Sequence, residues 1–169
     1  MIYILEGVDR VGKTTFSKFL EERYGAQRLD LMRPFKEGWN KSEQERLRSF
    51  SFGTAAMLAA TAPYLSCDVV VDRLFHSGVV YGDLFGGANL PLDEIEDAFK
   101  EKAVLLYCFC DKKLLSRRWN DSGYDNVDDI ERISSKYEEI LSTTKLPFWR
   151  IDTEEYPVEF LDRIFSFES

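Results

Sequence analysis

The clearest chemical signal in the sequence is a loop that can hold the phosphates of a nucleoside triphosphate. Gly7 is followed, after four residues, by the run Gly-Lys-Thr at 12–14, which fits the pattern G-x-x-x-x-G-K-[ST]. Glycines let backbone N–H groups turn toward phosphate oxygens, and Lys13 can reach the β- and γ-phosphates. The Thr14 hydroxyl can bind Mg²⁺. The spacing therefore predicts a triphosphate site, called the phosphate loop (residues 7–14) below.

Two charged residues inside this loop, Asp9 and Arg10, are not required by a cradle made of backbone groups. Phosphoryl transfer is catalysed mainly by positioning and by positive charge around the moving group, so Arg10 could stabilise that group. A carboxylate beside a triphosphate is repelled unless it faces a hydroxyl that donates to it. Asp9 therefore suggests a hydroxyl nearby, while two exposed charges at a loop tip remain the alternative.

A second charged pair, Asp72 and Arg73, ends the apolar run 69–71. In open parallel sheets the carboxyl ends of the strands line the ligand crevice, so this pair would face the phosphate loop if the two strands are neighbours. Asp72 could assist Mg²⁺ through its waters, and the planar fork of Arg73 could bind an acceptor phosphate. Arg33 is a further candidate for the same crevice. Ordinary surface charges remain the alternative for all three.

Five short apolar runs, separated by intervals long enough for helices, predict an α/β fold. The runs are continuous rather than alternating, which is typical of parallel strands buried on both faces. Strands are predicted at 2–5, 28–32, 69–71, 104–109 and 148–151. Helices are predicted at 12–24, 42–65, 92–99, 112–119, 127–141 and 157–165, the second of them interrupted by Pro63. Loop-forming residues after the fourth helix predict a short lid at about 115–126.

The composition limits the partners. A chain of 169 residues suits a single domain, 1–169, with one core. The 22 basic and 30 acidic residues give a net charge of −8, which disfavours duplex nucleic acid as a partner. The first apolar run is too short to cross a membrane and has no basic flank, so no membrane partner and a cytoplasmic location are expected. Cys67, Cys108 and Cys110 are predicted to be buried thiols.

The two charged motifs together resemble those of the thymidylate kinase family, in the branch with G-x-D-R-x-G-K-[ST]-[ST]. Here the phosphate loop reads GVDRVGKTT, and Asp72 and Arg73 are followed by Ser-Gly-Val-Val-Tyr at 77–81, similar to the family's Ser-Gly-Val-x-Tyr. Arg33 and Asp152 match more loosely. The resemblance implies a three-layer P-loop kinase fold with a five-stranded parallel sheet, helices on both faces and a short lid. Family members are usually homodimers, so it also implies a homodimer.

The resemblance implies a kinase that uses ATP and Mg²⁺ to phosphorylate a (deoxy)nucleoside 5′-monophosphate, with thymidylate or a modified pyrimidine nucleotide as acceptor. Asp9 would bind the sugar 3′-hydroxyl, and Tyr81 would pack where a ribose 2′-hydroxyl would sit. The implied catalytic residues are Lys13, Arg10, Arg73 and Arg118. The implied ATP-binding residues are Gly7, Val11, Gly12, Lys13, Thr14, Thr15, Arg117 and Asp152. The acceptor would contact Asp9, Arg33, Phe52, Arg73, Ser77 and Tyr81, and Mg²⁺ would contact Thr14 and Asp72.

The chain departs from the family at the position that reads the base. The family carries Phe-x-x-x-Arg on its third helix, where the ring stacks on the base and the arginine reads a pyrimidine carbonyl. Here Phe52 stands in place of the ring and Ala56 in place of the arginine, and core packing remains the alternative for Phe52. An enlarged or modified base, or a broader set of deoxynucleotides, is therefore a plausible acceptor.

Three alternatives to a nucleotide kinase remain. Deoxynucleoside kinases share the fold and carry an acid, a proline and a tryptophan after the second strand, where this chain has Arg33, Pro34 and Trp39. A glutamate there serves as base for a 5′-hydroxyl, whereas an arginine pairs with a phosphate, which favours the monophosphate acceptor. The charge of −8 counts against a kinase acting on a hydroxymethylated base in DNA. The intact charged residues count against a non-catalytic nucleotide-binding module.

Overall fold

Five parallel strands form a single sheet at the centre of the protein. The computed structural model describes residues 1–29, 53–85, 90–120 and 128–165. The strands are β1 (Ile2–Glu6), β2 (Gln27–Leu29), β3 (Val69–Asp72), β4 (Ala103–Phe109) and β5 (Phe148–Asp152). Their order is β2-β3-β1-β4-β5, and every neighbouring pair is parallel. The predicted five-stranded parallel sheet is confirmed. Residues 30–32 of the predicted second strand lie outside the described residues.

Helices connect the strands. In the described residues they are α1 (Lys13–Tyr24), α2 (53–61), α3 (Phe75–Phe85), α4 (Leu92–Phe99), α5 (Lys112–Asn120), α6 (Asp128–Leu141) and α7 (Val158–Phe165). A short 3-10 helix, Ala62–Tyr64, follows α2 and contains Pro63, which confirms the predicted interruption. None of the described helices is both long and apolar enough to cross a bilayer.

Helix α3 was not among the sequence predictions, and the structure corrects them here. Its sequence, FHSGVVYGDLF, contains two glycines and two β-branched valines, all of them weak helix formers. Its first turn contains no acidic residue, so the local sequence gives little sign of where the helix begins. Tertiary contacts at its first turn, described below, stabilise it instead.

The helices lie on both faces of the sheet. On one face, the Tyr3 hydroxyl of β1 donates to the Ile164 carbonyl of α7 (2.9 Å), and the rings of Tyr24 and Phe165 stack 4.7 Å apart. On the other face, the ring of Tyr137 in α6 lies 5.5 Å from that of Tyr107 in β4. These contacts define the three layers of an α/β fold.

The apolar runs of the central strands are continuous because these strands are buried on both faces of the sheet. β1 is buried along its whole length and β3 along its first three residues. β1 and β3 are neighbours, but the chain leaves β1 toward β2 at one edge of the sheet and leaves β3 toward β4 on the other side of β1. This change of direction opens a crevice at the carboxyl ends of the two strands. Cys108 and Cys110 are buried, as predicted, but Cys67 is only half-buried because it precedes β3.

Candidate active site

The phosphate loop leaves the carboxyl end of β1 and enters α1. Gly7 has φ 139°, and a Cβ atom on it would lie 2.3 Å from the Cys108 carbonyl oxygen, so only glycine fits there. Gly12 begins α1 with φ 109°. The first turn of α1 has no side-chain cap and no acidic residue, which leaves its N–H groups and the positive end of the helix dipole for an anion.

Lys13 lies beneath this loop, with its side chain almost fully buried. Its Nζ donates to the carbonyl oxygens of Gly7 (2.9 Å) and Val8 (2.7 Å), which leaves one of the three ammonium donors for a phosphate oxygen. Burial, and next the charge of Arg73, lower the pKa of the Lys13 ammonium to about 8. The loop therefore holds a cation that a bound polyphosphate would stabilise.

Thr14 and Asp72 form a pair of oxygen ligands beside the loop. The Thr14 hydroxyl donates to Asp72 Oδ2 over 2.9 Å. Asp72 ends β3 and lies opposite Leu5 of β1 in the parallel register, which places its carboxylate next to the loop. Hydroxyl and carboxylate oxygens are the ligands that Mg²⁺ prefers, so these two predicted residues fit the ion.

Three residues predicted to bind the acceptor lie together, and we call them the arginine cluster (Asp9, Arg73 and Tyr81). Arg73 Nη2 donates to Asp9 Oδ1 (2.6 Å) and lies 3.3 Å from the Tyr81 hydroxyl. That hydroxyl donates to Asp9 Oδ2 (3.1 Å), and the guanidinium carbon lies 5.0 Å from the centre of the Tyr81 ring. Burial is the main cause that raises the pKa of Tyr81, so the hydroxyl remains a donor.

The backbone of Arg73 adopts a conformation that side chains other than glycine rarely take. Its φ is 68°, which costs about 1 kcal/mol in the left-handed region. The Arg73 N–H donates to the Leu5 carbonyl (3.0 Å), and this bond ties the turn to β1. The strain is local to the residue whose side chain forms the cluster, as is common at functional sites.

Glu6, the last residue of β1, has a structural role that the sequence prediction missed. It is fully buried, and Oε1 accepts the N–H groups of Leu74 (3.0 Å) and Ser77 (3.2 Å). Oε2 accepts the Tyr137 hydroxyl (3.0 Å). The available signal was a single charged residue at the end of the apolar run MIYIL. The predicted acceptor contact Ser77 is also buried, and its hydroxyl donates to the Leu74 carbonyl (3.1 Å) inside the α3 turn.

The arginines predicted to act on ATP lie at different positions relative to the phosphate loop. Arg10 is exposed at the loop tip with φ 65°. Arg118 of α5 lies behind the loop, where Nη1 is 3.3 Å from the Arg10 carbonyl oxygen and 3.4 Å from that of Val11. Arg117 is exposed on the same helix, and Thr15 is exposed in the first turn of α1. The Arg118 side chain thus contacts backbone carbonyl oxygens of the loop.

The turn after β5 also reaches the phosphate loop. Asp152 Oδ1 accepts the Glu154 N–H (2.9 Å), which orders this turn. The next residue, Thr153, was not predicted, yet its hydroxyl contacts the Val11 carbonyl, and a Cβ atom on Gly12 would lie 3.1 Å from Thr153 Oγ1. Close approach between two loops distant in sequence left no local pattern to detect.

Some predicted residues fall outside the part of the chain that the structure describes. These are Arg33, Phe52 and residues 121–126 of the predicted lid. Ala56, the position that departs from the thymidylate kinase pattern, is exposed on α2.

No protein-family model and no curated protein sequence matches the chain. Solved structures do. The YorR protein from Bacillus subtilis, solved in complex with phosphorylated GDP, is 24% identical with a TM-score of 0.70, over 99% of this chain and 94% of that one. Deoxyadenosine kinase from M. mycoides, solved with dCMP and dCDP, is 18% identical with a TM-score of 0.60, over 98% and 97%. Thymidylate kinase from Candida albicans is 17% identical with a TM-score of 0.54, over 98% and 90%. The chain has the P-loop kinase fold of these structural neighbours, and a thymidylate kinase is among them.

Proposed function

We propose that this protein is a kinase that transfers the γ-phosphoryl group of ATP to the 5′-phosphate of a deoxynucleoside monophosphate. The observation that carries the proposal is the contact of Asp9, a residue of the phosphate loop, with Arg73 in the turn after β3 and with Tyr81 on α3. A loop that only bound a triphosphate would need no such cluster. A guanidinium, a carboxylate and a phenol at hydrogen-bond distance are suited to a phosphate attached to a sugar with a free hydroxyl.

The donor side would hold ATP with its Mg²⁺ ion. Backbone N–H groups of the loop and of the first turn of α1 would bind the phosphates, and Lys13 would donate its remaining N–H to the transferred end. Thr14 and Asp72 would hold Mg²⁺, which neutralises phosphate charge when it is bound. The exposed Arg10 would place its side chain beside the phosphoryl group, and Arg118 would keep the loop backbone in place.

The acceptor phosphate would bind by replacing Asp9 as the hydrogen-bond partner of Arg73. In the structure, Asp9 holds the guanidinium of Arg73 in position. An acceptor phosphate would take the guanidinium, because a dianion binds the arginine fork more strongly than one carboxylate does. Asp9 would then be free to accept from a sugar hydroxyl, and Tyr81 would stay against the sugar. Positioning of this kind, together with charge, supplies most of the catalysis in phosphoryl transfer.

A deoxynucleoside kinase is the second candidate, and the similarity to a deoxyadenosine kinase favours it. Such an enzyme needs a base for the 5′-hydroxyl. Glu6 does not suit this role, because it is fully buried and both of its oxygens already accept hydrogen bonds. Asp9 would have to release Arg73 to act as the base, which makes the monophosphate the better fit to the described residues.

The test is a panel of acceptors with ATP and Mg²⁺, read by ADP release and by mass spectrometry of the products. The panel contains deoxynucleoside monophosphates, including 5-hydroxymethyl pyrimidine nucleotides, the matching deoxynucleosides, and DNA with hydroxymethylated bases. We expect diphosphate products from at least one monophosphate, and roughly a hundredfold slower formation of that product by the Arg73→Ala variant at low acceptor concentration. Turnover of nucleosides alone would establish the second candidate. Tight ATP binding without turnover of any acceptor would contradict the assignment as a kinase.

A further inference from the structure

A buried carboxylate at the end of β1 connects the two sides of the site. Glu6 immediately precedes Gly7 of the phosphate loop and is fully buried. Its Oε1 accepts the N–H groups of Leu74 (3.0 Å) and Ser77 (3.2 Å), in the turn that follows Arg73. A buried carboxylate is costly unless donors satisfy it, and these bonds provide them. Glu6 therefore belongs to the strand that leads into the phosphate loop, and its side chain holds the turn that carries Arg73.

The two backbone bonds make Glu6 a remote cap of α3. N–H groups at the start of a helix have no intrahelical acceptor, and a local side chain usually satisfies them. Here the acceptor lies 68 residues before Leu74, and the first turn of α3 has no acidic residue of its own. A carboxylate at this end also interacts favourably with the helix dipole. The start of α3 is thus fixed to β1 through Glu6.

Arg73 is the residue that this turn carries. Its left-handed φ of 68° and the bond from its N–H to the Leu5 carbonyl (3.0 Å) depend on the same close packing of the turn against β1. From there its side chain reaches Asp9 of the phosphate loop at 2.6 Å. Leu5 and Glu6 therefore hold the turn from one side, and the arginine cluster holds it from the other.

A third donor completes the hydrogen bonding of the Glu6 carboxylate. The Tyr137 hydroxyl of α6 donates to Oε2 over 3.0 Å. Burial, and next the Glu6 carboxylate, raise the pKa of Tyr137 well above its ordinary value, so this hydroxyl stays protonated. With both oxygens occupied and the side chain fully buried, Glu6 does not face a substrate. Its effect on a reaction must pass through the residues that it holds.

We propose that Glu6 is a positioning residue: it fixes the turn that carries Arg73 relative to the phosphate loop, and so sets the distance between the acceptor phosphate and the donor. The kinetic consequence rests on the proposed function. The placement of the turn does not, and it can be measured without any acceptor.

Two substitutions separate the effect of the length of the Glu6 side chain from the effect of its charge. Glu6→Gln keeps the length of the side chain, so its carbonyl oxygen can still accept from Leu74 and Ser77. Glu6→Asp keeps the charge but is one methylene shorter, and it cannot reach both N–H groups. We expect Glu6→Gln to stay within about twofold of the wild type, and Glu6→Asp to lower kcat/KM for the acceptor roughly tenfold to a hundredfold, as expected for a small misplacement. The Kd for ATP should change less than about twofold in both.

Tyr3→Phe is the matched control. Tyr3 is also buried on β1, but its hydroxyl donates to the Ile164 carbonyl of α7 (2.9 Å), on the face of the sheet opposite Glu6. Loss of this hydrogen bond should lower Tm without changing the acceptor KM. Equal losses of acceptor kcat/KM in Glu6→Asp and Tyr3→Phe at a similar fall in Tm would overturn the proposal, because Glu6 would then have a structural role only. The proposal would also be overturned if Glu6→Asp weakened ATP binding and acceptor binding by the same factor.

Amide hydrogen exchange tests the turn independently of the reaction. Glu6→Asp should accelerate exchange at the amides of Leu74 and Ser77, and Glu6→Gln should leave both protected. If no acceptor supports turnover but these amides respond in this way, the proposed function fails while the role of Glu6 in placing the turn stands. Unchanged exchange in Glu6→Asp overturns the inference, whatever the turnover.

Discussion

The phosphate loop and the arginine cluster lie side by side, but backbone geometry shapes the first and side-chain charge shapes the second. In the loop, Gly7 is required because a Cβ atom would meet a carbonyl oxygen at 2.3 Å, and the anion site comes from N–H groups. In the cluster, Asp9, Arg73 and Tyr81 bind one another through side chains. A loop made of backbone groups can bind the phosphates of any triphosphate, whereas a cluster of side chains can select an acceptor.

The largest expected effect follows from removing the buried ammonium of Lys13 from the phosphate loop. Lys13→Ala should lower kcat/KM for ATP by a factor on the order of 10³, because in our proposal the buried ammonium stabilises charge on the transferred group. Steady-state kinetics with saturating acceptor measures this loss.

Lys18→Ala is the matched control, since Lys18 is exposed on the same helix. It should leave kcat/KM unchanged. A loss in Lys13→Ala no larger than that in Lys18→Ala would show that the loop needs only its backbone.

The difference between the two regions also explains what the sequence could predict. The loop has a local pattern, because glycines and a lysine at fixed spacing are sufficient to build it, and β1, β3 and β4 followed from continuous apolar runs. Helix α3 was missed because its cap, Glu6, is 68 residues away from the N–H group of Leu74. Thr153 was missed for the same reason. Contacts between residues distant in the chain leave no spacing rule to detect.

The next largest effect should fall on the arginine cluster and leave the loop intact. Arg73→Ala should lower kcat/KM for the acceptor by a factor on the order of 10², because the variant lacks the charged fork that, in our proposal, binds the acceptor phosphate. ATP binding, measured by calorimetry, should stay within about twofold, since the loop does not need this side chain for its shape.

Arg163→Ala, a change at an exposed arginine of α7, controls for the loss of positive charge and should leave both quantities unchanged. If ATP affinity fell in Arg73→Ala by the same factor as acceptor affinity, the two regions would not be separable and Arg73 would not be an acceptor ligand.

A smaller effect should separate the two partners that Asp9 can have. Asp9→Ala removes the carboxylate that pairs with Arg73 and, in our proposal, accepts from the sugar 3′-hydroxyl. Acceptors with that hydroxyl should lose roughly tenfold more kcat/KM than 3′-deoxy analogues, which is the usual size of a hydrogen bond to a charged group. The ratio between the two acceptors is the measurement, because effects through Arg73 cancel in it. Equal losses would remove the sugar contact and leave Asp9 as a partner of Arg73 only.

The smallest effect near neutral pH is the pH dependence of triphosphate binding, which should arise in the loop and not in the cluster. Burial, and next the charge of Arg73, lower the pKa of Lys13 to about 8, so the ammonium that in our proposal binds phosphate is lost as pH rises through that value. The affinity for ATP should therefore be constant below pH 8 and fall above it, by at most tenfold for each pH unit. Binding titrations between pH 7 and pH 9.5 in EDTA measure this without a contribution from a metal. Lys13→Arg keeps the charge throughout this range, so its ATP affinity should not vary with pH, because an arginine side chain does not lose its proton there. A fall of the same size in Lys13→Arg would assign the titration to another group.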